Sequence, residues 1–309
     1  MALLDNRITQ HPFAKKAVLR CFIPLYPSCF FGGNAPRTSS HNSEIQSNPQ
    51  KIIQYLYMKF AIIAAGEGSR LATEGVTQPK PLIPLCGVPM IERLIRIFHR
   101  CGAEEIIIAV NSARPETHQH LLQLMADNPT LPLRIVVADT PSSMHTFAAL
   151  APYLQEAPFC LTTVDTIFQE EAFRAYLEAA TQHLQQGYDG CMAVTDFVDD
   201  ESPLYIATTN QSEITAFLDE MPNQTENESN SSCQLGQDLF ISGGIYTLSP
   251  KALITLSRCM AEGQHRLRNF QRGLLTDGLR LKAHLFDKIL DIDHASDIVQ
   301  AEKFLQEGI

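Results

Sequence analysis

Short runs of uninterrupted apolar residues alternate along the chain with segments whose apolar residues recur every three or four positions. The first run, 60–65, has no polar alternation and stops at glycines, which is typical of a strand buried in a parallel sheet. Helical spacing follows at 90–101. The same order then repeats, with predicted strands at 104–110, 133–138 and 159–164 and predicted helices at 115–126 and 145–154. This order predicts a doubly wound α/β domain whose strands all end at one edge of a mostly parallel sheet.

The pattern changes at residue 190 to shorter strands, which we predict at 190–197, 204–208, 213–218 and 240–248. A polar, loop-like segment, 221–237, lies between them. These strands predict a small inserted antiparallel lid over residues 190–250. The domain of residues 58–309 would then consist of a half at 58–189, this insertion, and a C-terminal α/β part at 251–309.

Residues 1–57 differ from the rest of the chain in being basic, rich in proline and marked by a Ser/Asn-rich run. Met58 leads straight into the first strand. We therefore expect Met58 to be the functional start, and residues 1–57 to be a dispensable extension that is disordered or a mis-assigned start. An organellar presequence is the alternative. Truncation to Met58 should leave the melting temperature and the activity unchanged.

The first strand is followed by a glycine turn and two cationic residues. Gly66 and Gly68 allow backbone N–H groups to approach an anion, and Arg70 and Lys80 bring positive charge to the same loop. No Lys-Ser or Lys-Thr follows the glycines, which excludes a Walker loop. The third glycine of a dinucleotide fingerprint is also missing, since Leu71 occupies its place. The loop therefore predicts a triphosphate-binding site of another kind.

Gly66-Glu67-Gly68-Ser69-Arg70-Leu71 with Pro79-Lys80-Pro81 resembles the signature of nucleotidyltransferases that make activated sugars and alcohols. This group includes sugar-1-phosphate nucleotidyltransferases (NDP-sugar pyrophosphorylases), phosphocholine cytidylyltransferases and MobA-like guanylyltransferases. The resemblance implies a GT-A-like (Rossmann-like) α/β fold and an acceptor-binding lid. It also implies that Arg70 and Lys80 are catalytic and that the nucleotide is bound by Ala65, Gly66, Glu67, Gly68 and Ser69.

A second group of polar residues, Ser142, Ser143 and His145, lies between a predicted strand and a helix start. Hydroxyl groups in this position either cap the helix or bind a base or ribose. The resemblance implies that this loop reads the nucleotide base, although the usual Gly-Thr or Gly-Ser pair is absent.

Two aspartates follow strand-like segments. Asp165 comes directly after a hydrophobic strand, and Asp293 lies between a strand and a helix that Asp297 could cap. Residues in such places are commonly turn or capping residues. The resemblance implies that Asp165 and Asp293 bind Mg²⁺, with Asp291 as the reserve ligand, and that phosphate and water complete the coordination.

The resemblance implies acceptor binding by Glu220, Gly243 and Gly244. The family often has Glu-Lys-Pro where this chain has Glu220-Met221-Pro222, and the lysine there holds the acceptor phosphate. Its loss weakens the case for a sugar 1-phosphate in particular. As a bare pattern, the glycine pair is equally compatible with a β-bulge.

The net charge of −10 argues against a nucleic acid or an anionic membrane as the main partner. The eight cysteines are scattered without a C-x-x-C pair, which favours reduced thiols and a cytoplasmic location. The expected partners are a nucleoside triphosphate and a small phosphorylated acceptor, and the sequence leaves the oligomeric state open.

The resemblance implies an Mg²⁺-dependent enzyme that transfers a nucleotidyl group from an NTP to a phosphate monoester and releases pyrophosphate. The first expectation is a sugar 1-phosphate acceptor, which would yield an NDP-sugar. One alternative is a cytidylyltransferase for phosphocholine or another alcohol phosphate, which Met221 favours. Another is a non-catalytic regulator that binds a nucleotide or an NDP-sugar.

Overall fold

The computed structural model of the chain describes residues 58–197, 202–221 and 238–307. The expectations for residues 1–57, and for most of the polar segment 221–237, lie outside the described residues. Within the described part, no helix combines the length and the apolar character needed to cross a membrane.

Four parallel strands form the first half of a large sheet. Strand β1 (Lys59–Ala64) lies between β4 (Glu105–Val110) and β6 (Phe159–Thr163), and β5 (Leu133–Val137) pairs with β4. Residues 60–64 are all buried, because helices cover both faces of a parallel sheet. The predicted strands and their order along the chain are confirmed.

The described helices are α1 (Ser69–Thr73), α2 (Met90–Arg100), α3 (Pro115–Asp127), α4 (Ser143–Leu150), α5 (Glu170–Gln185), α6 (Ala252–Ala261), α7 (Leu267–Thr276) and α8 (Ala295–Glu307). Helices α2, α3 and α5 cover the sheet face to which Phe60 and Ile62 point. Helices α4, α6 and α7 cover the opposite face, that of Ala61 and Ile63. Helices α1 and α8 contribute to a third, smaller apolar cluster.

The helix expected at 145–154 is shorter than predicted. It begins at Ser143, ends at Leu150 and continues as a 3₁₀ turn over Ala151–Tyr153. The reason is Pro152, whose ring clashes with the preceding helical turn and which has no N–H to donate.

The second half of the sheet is built around β11 (Asp238–Leu248), which runs antiparallel to β6, β8 (Gly190–Thr195) and β9 (Tyr205–Thr208). The remaining strands are β10 (Ile214–Leu218), which pairs with β9, and β12 (Leu281–Phe286), which runs parallel to β8. The predicted short strands are therefore present. They continue the central sheet, whose order is β10-β9-β11-β6-β1-β4-β5, with β8 and β12 branching from β11.

Strand β11 changes its partner along its length. Residues 238–241 pair with β9, and residues 245–248 pair with β6. Gly243 and Gly244 lie between the two stretches, where the register with β8 also shifts. The sheet therefore opens at this point.

Two short strand pairs complete the described fold. Strand β7 (Thr166–Ile167) pairs antiparallel with β13 (Leu290–Asp291), and β2 (Pro84–Leu85) pairs with β3 (Val88–Pro89). The first pair joins the segment after β6 to the segment before α8, which are remote in sequence. This pairing brings the two predicted metal ligands to one place.

Candidate active site

The turn after β1 is built so that two loops can approach each other. Gly68 has φ +64°, and a Cβ built there would lie 3.1 Å from the Cβ of Lys80. A side chain at this position would be strained by its backbone and crowded by the lysine. The preceding Ala65 is buried, and its carbonyl accepts a hydrogen bond from Nδ2 of Asn111 at 2.8 Å.

Lys80 lies at the centre of a four-residue charged cluster. Its Nζ is 2.6 Å from Oδ2 of Asp165 and 2.9 Å from Oδ1 of Asp293. Arg70 contacts the other oxygen of Asp293 at 3.0 Å. The two cations differ in exposure: the Lys80 side chain is only 12% exposed, whereas that of Arg70 is 62% exposed.

The electrostatics keep both members of the inner pair charged. Burial alone would lower the pKa of Lys80, but the two carboxylates outweigh it and hold that pKa above the ordinary lysine value. Burial would likewise raise the pKa of Asp165, and here Lys80 together with a hydrogen bond from Thr163 holds the pKa below the ordinary value. Lys80 and Asp165 are therefore both charged at neutral pH.

The segment that carries Asp293 is held by other carboxylates. Oδ2 of Asp297 accepts hydrogen bonds from the backbone N–H groups of Asp293 and His294, which confirms its predicted capping role. Glu74 accepts from Nδ1 of His294 and from N of Ala295, and these bonds lower the pKa of Glu74. The amide of Ile292 also donates to the carbonyl of Asp165. The two predicted metal ligands are thus tied together through the backbone.

Two adjoining cavities, of about 250 and 600 Å³, meet at this cluster. Residues of the glycine loop line the smaller cavity, and residues around the opening of the sheet line the larger one. The residues that line both are Arg70, Ser143, Thr163, Asp165 and Asp293. The cluster therefore lies at the junction of two compartments.

The predicted site residues divide between the cavity walls and their surroundings. The smaller cavity is lined by Gly66, Gly68, Ser69, Arg70 and Lys80, and the larger one by Gly244. The predicted residues outside both linings are Ala65, Glu67, Ser142, His145, Glu220 and Gly243.

Ser142 is the N-cap of α4, and its hydroxyl group is engaged inside the protein. The hydroxyl donates to the carbonyl of His265 at 2.5 Å and accepts from the backbone N–H of His145. It also lies 2.8 Å from Nδ1 of His145. The hydroxyl has one proton, and it donates that proton to the carbonyl of His265. In the contact with His145, Nδ1–H of the imidazole is therefore the donor. Ser142 therefore organises the loop, and Ser143 faces the cavities.

Gly243 and Gly244 each occupy a position at which a Cβ would clash, but with different neighbours. A Cβ at Gly244, where φ is +71°, would lie 2.8 Å from Oγ1 of Thr166. A Cβ at Gly243 would lie 2.3 Å from Cδ1 of Ile289. Gly243 thus allows packing beneath the sheet, and Gly244 keeps the cavity wall open. Glu220 lies in an exposed turn after β10.

Residues 60–230 match the family model of the MobA-like NTP transferase domain, which is more than half of the 309-residue chain. The chain belongs to this family. The resemblance drawn from the glycine loop and the Pro-Lys-Pro segment is thereby confirmed, as is the assignment to the nucleotidyltransferases.

Related proteins carry names from the same enzyme class. The chain is 30% identical over 141 residues to a mannose-1-phosphate guanyltransferase of Hypocrea jecorina. The aligned region covers 45% of this chain and 37% of that protein. It is 26% identical over 202 residues to a mannose-1-phosphate guanyltransferase of Schizosaccharomyces pombe, which covers 63% of this chain and 51% of that protein. The MobA-like chain thus spans about half, or less, of the length of these relatives.

Solved structures confirm the predicted fold. A putative glucose-1-phosphate thymidylyltransferase from Bacillus anthracis superposes with a TM-score of 0.66 at 17% identity, covering 81% of this chain and 96% of that one. An inositol-1-phosphate CTP transferase from T. maritima gives a TM-score of 0.60 at 16% identity, covering 82% and 98%. At this level of identity the likeness concerns the fold alone.

The sequence analysis of this MobA-like chain missed several cavity residues. Tyr246 is buried, and burial together with the carboxylates of Asp291 and Asp165 raises its pKa to about 12. In the lining of the larger cavity, Nε2 of Gln271 donates to Oγ of Ser242 at 3.2 Å. Ser242 and Tyr246 flank the predicted glycine pair, but no role was predicted for either. Only the pairing of β11 and the packing of α7 bring them to the cavity.

Two arginines were also missed. Arg266 is the N-cap residue of α7 and Arg268 lies in its first turn, and both line the larger cavity. Arg268 is held by Oδ1 of Asp219 at 2.9 Å and by the carbonyl of Ser202 at 3.1 Å. Among the described residues, Arg266 forms no salt bridge. The run Arg-Leu-Arg in the sequence carries a weak signal of an anion site.

Proposed function

We propose that the chain transfers a nucleotidyl group from an NTP to a sugar 1-phosphate, releasing pyrophosphate and forming an NDP-sugar. One observation carries the proposal: Arg70, Lys80, Asp165 and Asp293 converge at the junction of two cavities. The names of the relatives, mannose-1-phosphate guanyltransferases, support a sugar 1-phosphate.

The donor set of the cluster fits a magnesium ion. Asp165 and Asp293 offer carboxylate oxygens, and both carboxylates contact the same ammonium group, so they converge on one small volume. Mg²⁺ is usually held by one or two carboxylates together with substrate phosphates and water. When bound there, the ion would neutralise charge on the phosphates of the NTP.

The roles of the chain's own residues follow from their positions. Lys80, buried and held by two carboxylates, would contact the phosphates at a fixed point, whereas the more exposed Arg70 would reach the leaving pyrophosphate. The backbone N–H groups of Gly66 to Ser69 would bind the remaining phosphate oxygens. Such fixed positive groups stabilise developing charge without reorganising during the reaction.

The reaction requires no general base from the protein. The acceptor's phosphate oxygen is already ionised at neutral pH and attacks the α-phosphorus, while the bond to the pyrophosphate breaks in line. Catalysis then comes from positioning and electrostatics.

The larger cavity, which would be the acceptor compartment, contains arginines even though Met221 replaces the lysine typical of the family. Met221 lies in an exposed turn outside the cavity linings, whereas Arg266 and Arg268 line the larger cavity. This favours a phosphorylated acceptor over an uncharged one. Tyr246 and Asp291 on the same wall keep an alcohol phosphate with a cationic head, such as phosphocholine, as the second candidate.

The state of the cysteines bears on the location of the protein, and the three parts of the chain would have different roles in binding. Cys86, Cys101, Cys160, Cys191 and Cys259, the cysteines of the described residues, are all free, which supports a reducing, cytoplasmic environment. Residues 58–189 would bind the nucleotide and residues 190–250 the acceptor. Residues 251–309 would complete both compartments through Arg266 and Asp293.

The deciding experiment measures pyrophosphate release with Mg²⁺ for each NTP crossed with a panel of sugar 1-phosphates, phosphocholine and inositol phosphates. Release with a sugar 1-phosphate supports the proposal and also identifies the base. Release with phosphocholine alone would replace it with the second candidate. No release with any pair, while nucleotides still raise the melting temperature, would contradict transfer to these acceptors and favour a nucleotide-binding regulator.

A further inference from the structure

A bridge of three residues joins the loop before α4 to the loop before α7. The Ser142 hydroxyl donates to the carbonyl of His265, and the imidazole of His145 donates to the same hydroxyl. The rings of His145 and His265 stack with their centroids 5.3 Å apart and their planes inclined by 12°. His265 is thus held through both its backbone and its side chain.

The two loops that this bridge connects serve different compartments. On one side, Ser143 follows Ser142 directly and lines both cavities. On the other side, Arg266 follows His265 directly and lines the larger cavity. The bridge therefore lies between Ser143, which lines both cavities, and Arg266, which lines the larger one.

Arg266 and Arg268 differ in the contacts that hold them. Arg268 is held by Asp219 and by the carbonyl of Ser202, whereas Arg266 has no salt bridge to a described residue. His265 and Arg266 are both exposed and lie ahead of the first residue of α7. Arg266 is connected to the bridge through the backbone that it shares with its neighbour His265.

We propose that His265 is a positioning residue: it orients Arg266 so that the guanidinium binds the phosphate of the acceptor. Ser142 and His145 connect the position of His265 to the loop before α4, which would bind the nucleotide. This inference rests on the proposed function for the identity of the phosphate. Ordering of the loop before α4 then favours binding of the acceptor. Because such coupling is reciprocal, a bound acceptor favours binding of the nucleotide.

The bridge itself is tested without any turnover, by hydrogen exchange of the amides at 263–268. Ser142→Ala removes the hydroxyl that both histidines contact, and the expected result is exchange at 263–268 at least about threefold faster than in the wild type. His99→Ala, an exposed histidine at the end of α2, serves as the matched control and should leave these amides unchanged. Unchanged exchange in Ser142→Ala would overturn the bridge.

The link to Arg266 is tested with inorganic phosphate as the probe. Arg266→Ala should weaken phosphate binding about three- to tenfold, the loss of a hydrogen bond to a charged group at an exposed site. His265→Ala should weaken it similarly, and the double variant should be no weaker than either single one. Additive losses would show that the two residues act independently and would contradict the proposal.

The role in the reaction is tested with the substrate pair found by pyrophosphate release. His265→Ala should raise KM for the acceptor about tenfold while kcat at saturating acceptor stays within about twofold, because Arg266 acts in binding. His265→Phe retains a flat ring for stacking and should restore most of the affinity. A fall in kcat with unchanged KM would overturn the positioning role. If the wild type releases no pyrophosphate with any pair, the proposed function fails, and the exchange and phosphate experiments still decide the bridge.

Discussion

The ammonium group of Lys80 lies 2.9 Å from a carboxylate oxygen of Asp293, a residue 213 positions further along the chain. The contact joins the loop that follows the first strand to the segment that precedes the last described helix. Because the same ammonium also contacts Asp165, the second residue after β6, three segments remote in sequence meet at one half-buried charge.

Lys80→Ala should lower kcat at least about 100-fold, since a fixed positive group is lost where phosphate charge develops. Circular dichroism should show that the variant remains folded. Lys303→Ala, which removes an exposed lysine of α8, is the matched control and should retain full activity. Near wild-type turnover in Lys80→Ala would refute the assigned role.

Asp165→Asn should lower turnover by a similar factor of about 100 and raise the Mg²⁺ concentration needed for half-maximal activity. The amide keeps the size of the side chain but removes its charge. Titration of activity with Mg²⁺ checks this, with Asp287→Asn as an exposed control. An unchanged Mg²⁺ dependence in Asp165→Asn would rule out Asp165 as a ligand.

Gly244→Ala should destabilise the protein more than Gly187→Ala. Both glycines have positive φ, which costs an alanine about 1 kcal/mol. Only at Gly244 would the added Cβ meet a neighbour, Oγ1 of Thr166 at 2.8 Å, whereas nothing lies within 4 Å at Gly187. Overpacking of this kind adds about 1–3 kcal/mol. Urea unfolding of the two variants gives the comparison, and equal losses would contradict the predicted crowding.

Glu170 should contribute stability that disappears in acid. Hydrogen bonds from Arg100, outweighing burial and assisted by Arg174, lower its pKa from 4.5 to about 2. A carboxylate with a lowered pKa in the folded state stabilises the protein above its unfolded pKa, and the effect is lost as the pH falls toward the folded pKa.

Glu170→Gln should therefore lower the free energy of unfolding by about 1 kcal/mol at pH 7, a value reduced by solvent screening. The difference from the wild type should shrink between about pH 5 and pH 2, the range over which such a carboxylate takes up its proton. Denaturant unfolding at several pH values measures it. A difference that stays constant over this range would show that Glu170 acts through packing instead of charge.

Local patterns predicted the elements well because strand and helix periods are properties of neighbouring residues. The runs at 60–65 and 159–164 correspond to β1 and β6, and the helix predicted at 115–126 is found as Pro115–Asp127. The short strands after residue 190 were also predicted, but not that they continue the central sheet. The choice of a strand's partner depends on residues far away in the chain, which no local period reports.

The candidate site shows the same division. The sequence by itself determined the glycine turn, its two cations and the carboxylates that follow β6 and precede α8, because each is a local arrangement of residue types. Tertiary structure alone decided that Lys80 would contact both carboxylates, that β11 would open at Gly244, and that Arg266 would line the larger cavity. The physical reason is that charge pairing and stacking act over a few ångströms in space, and only the packing of the sheet and its helices brings residues so distant in sequence within that range.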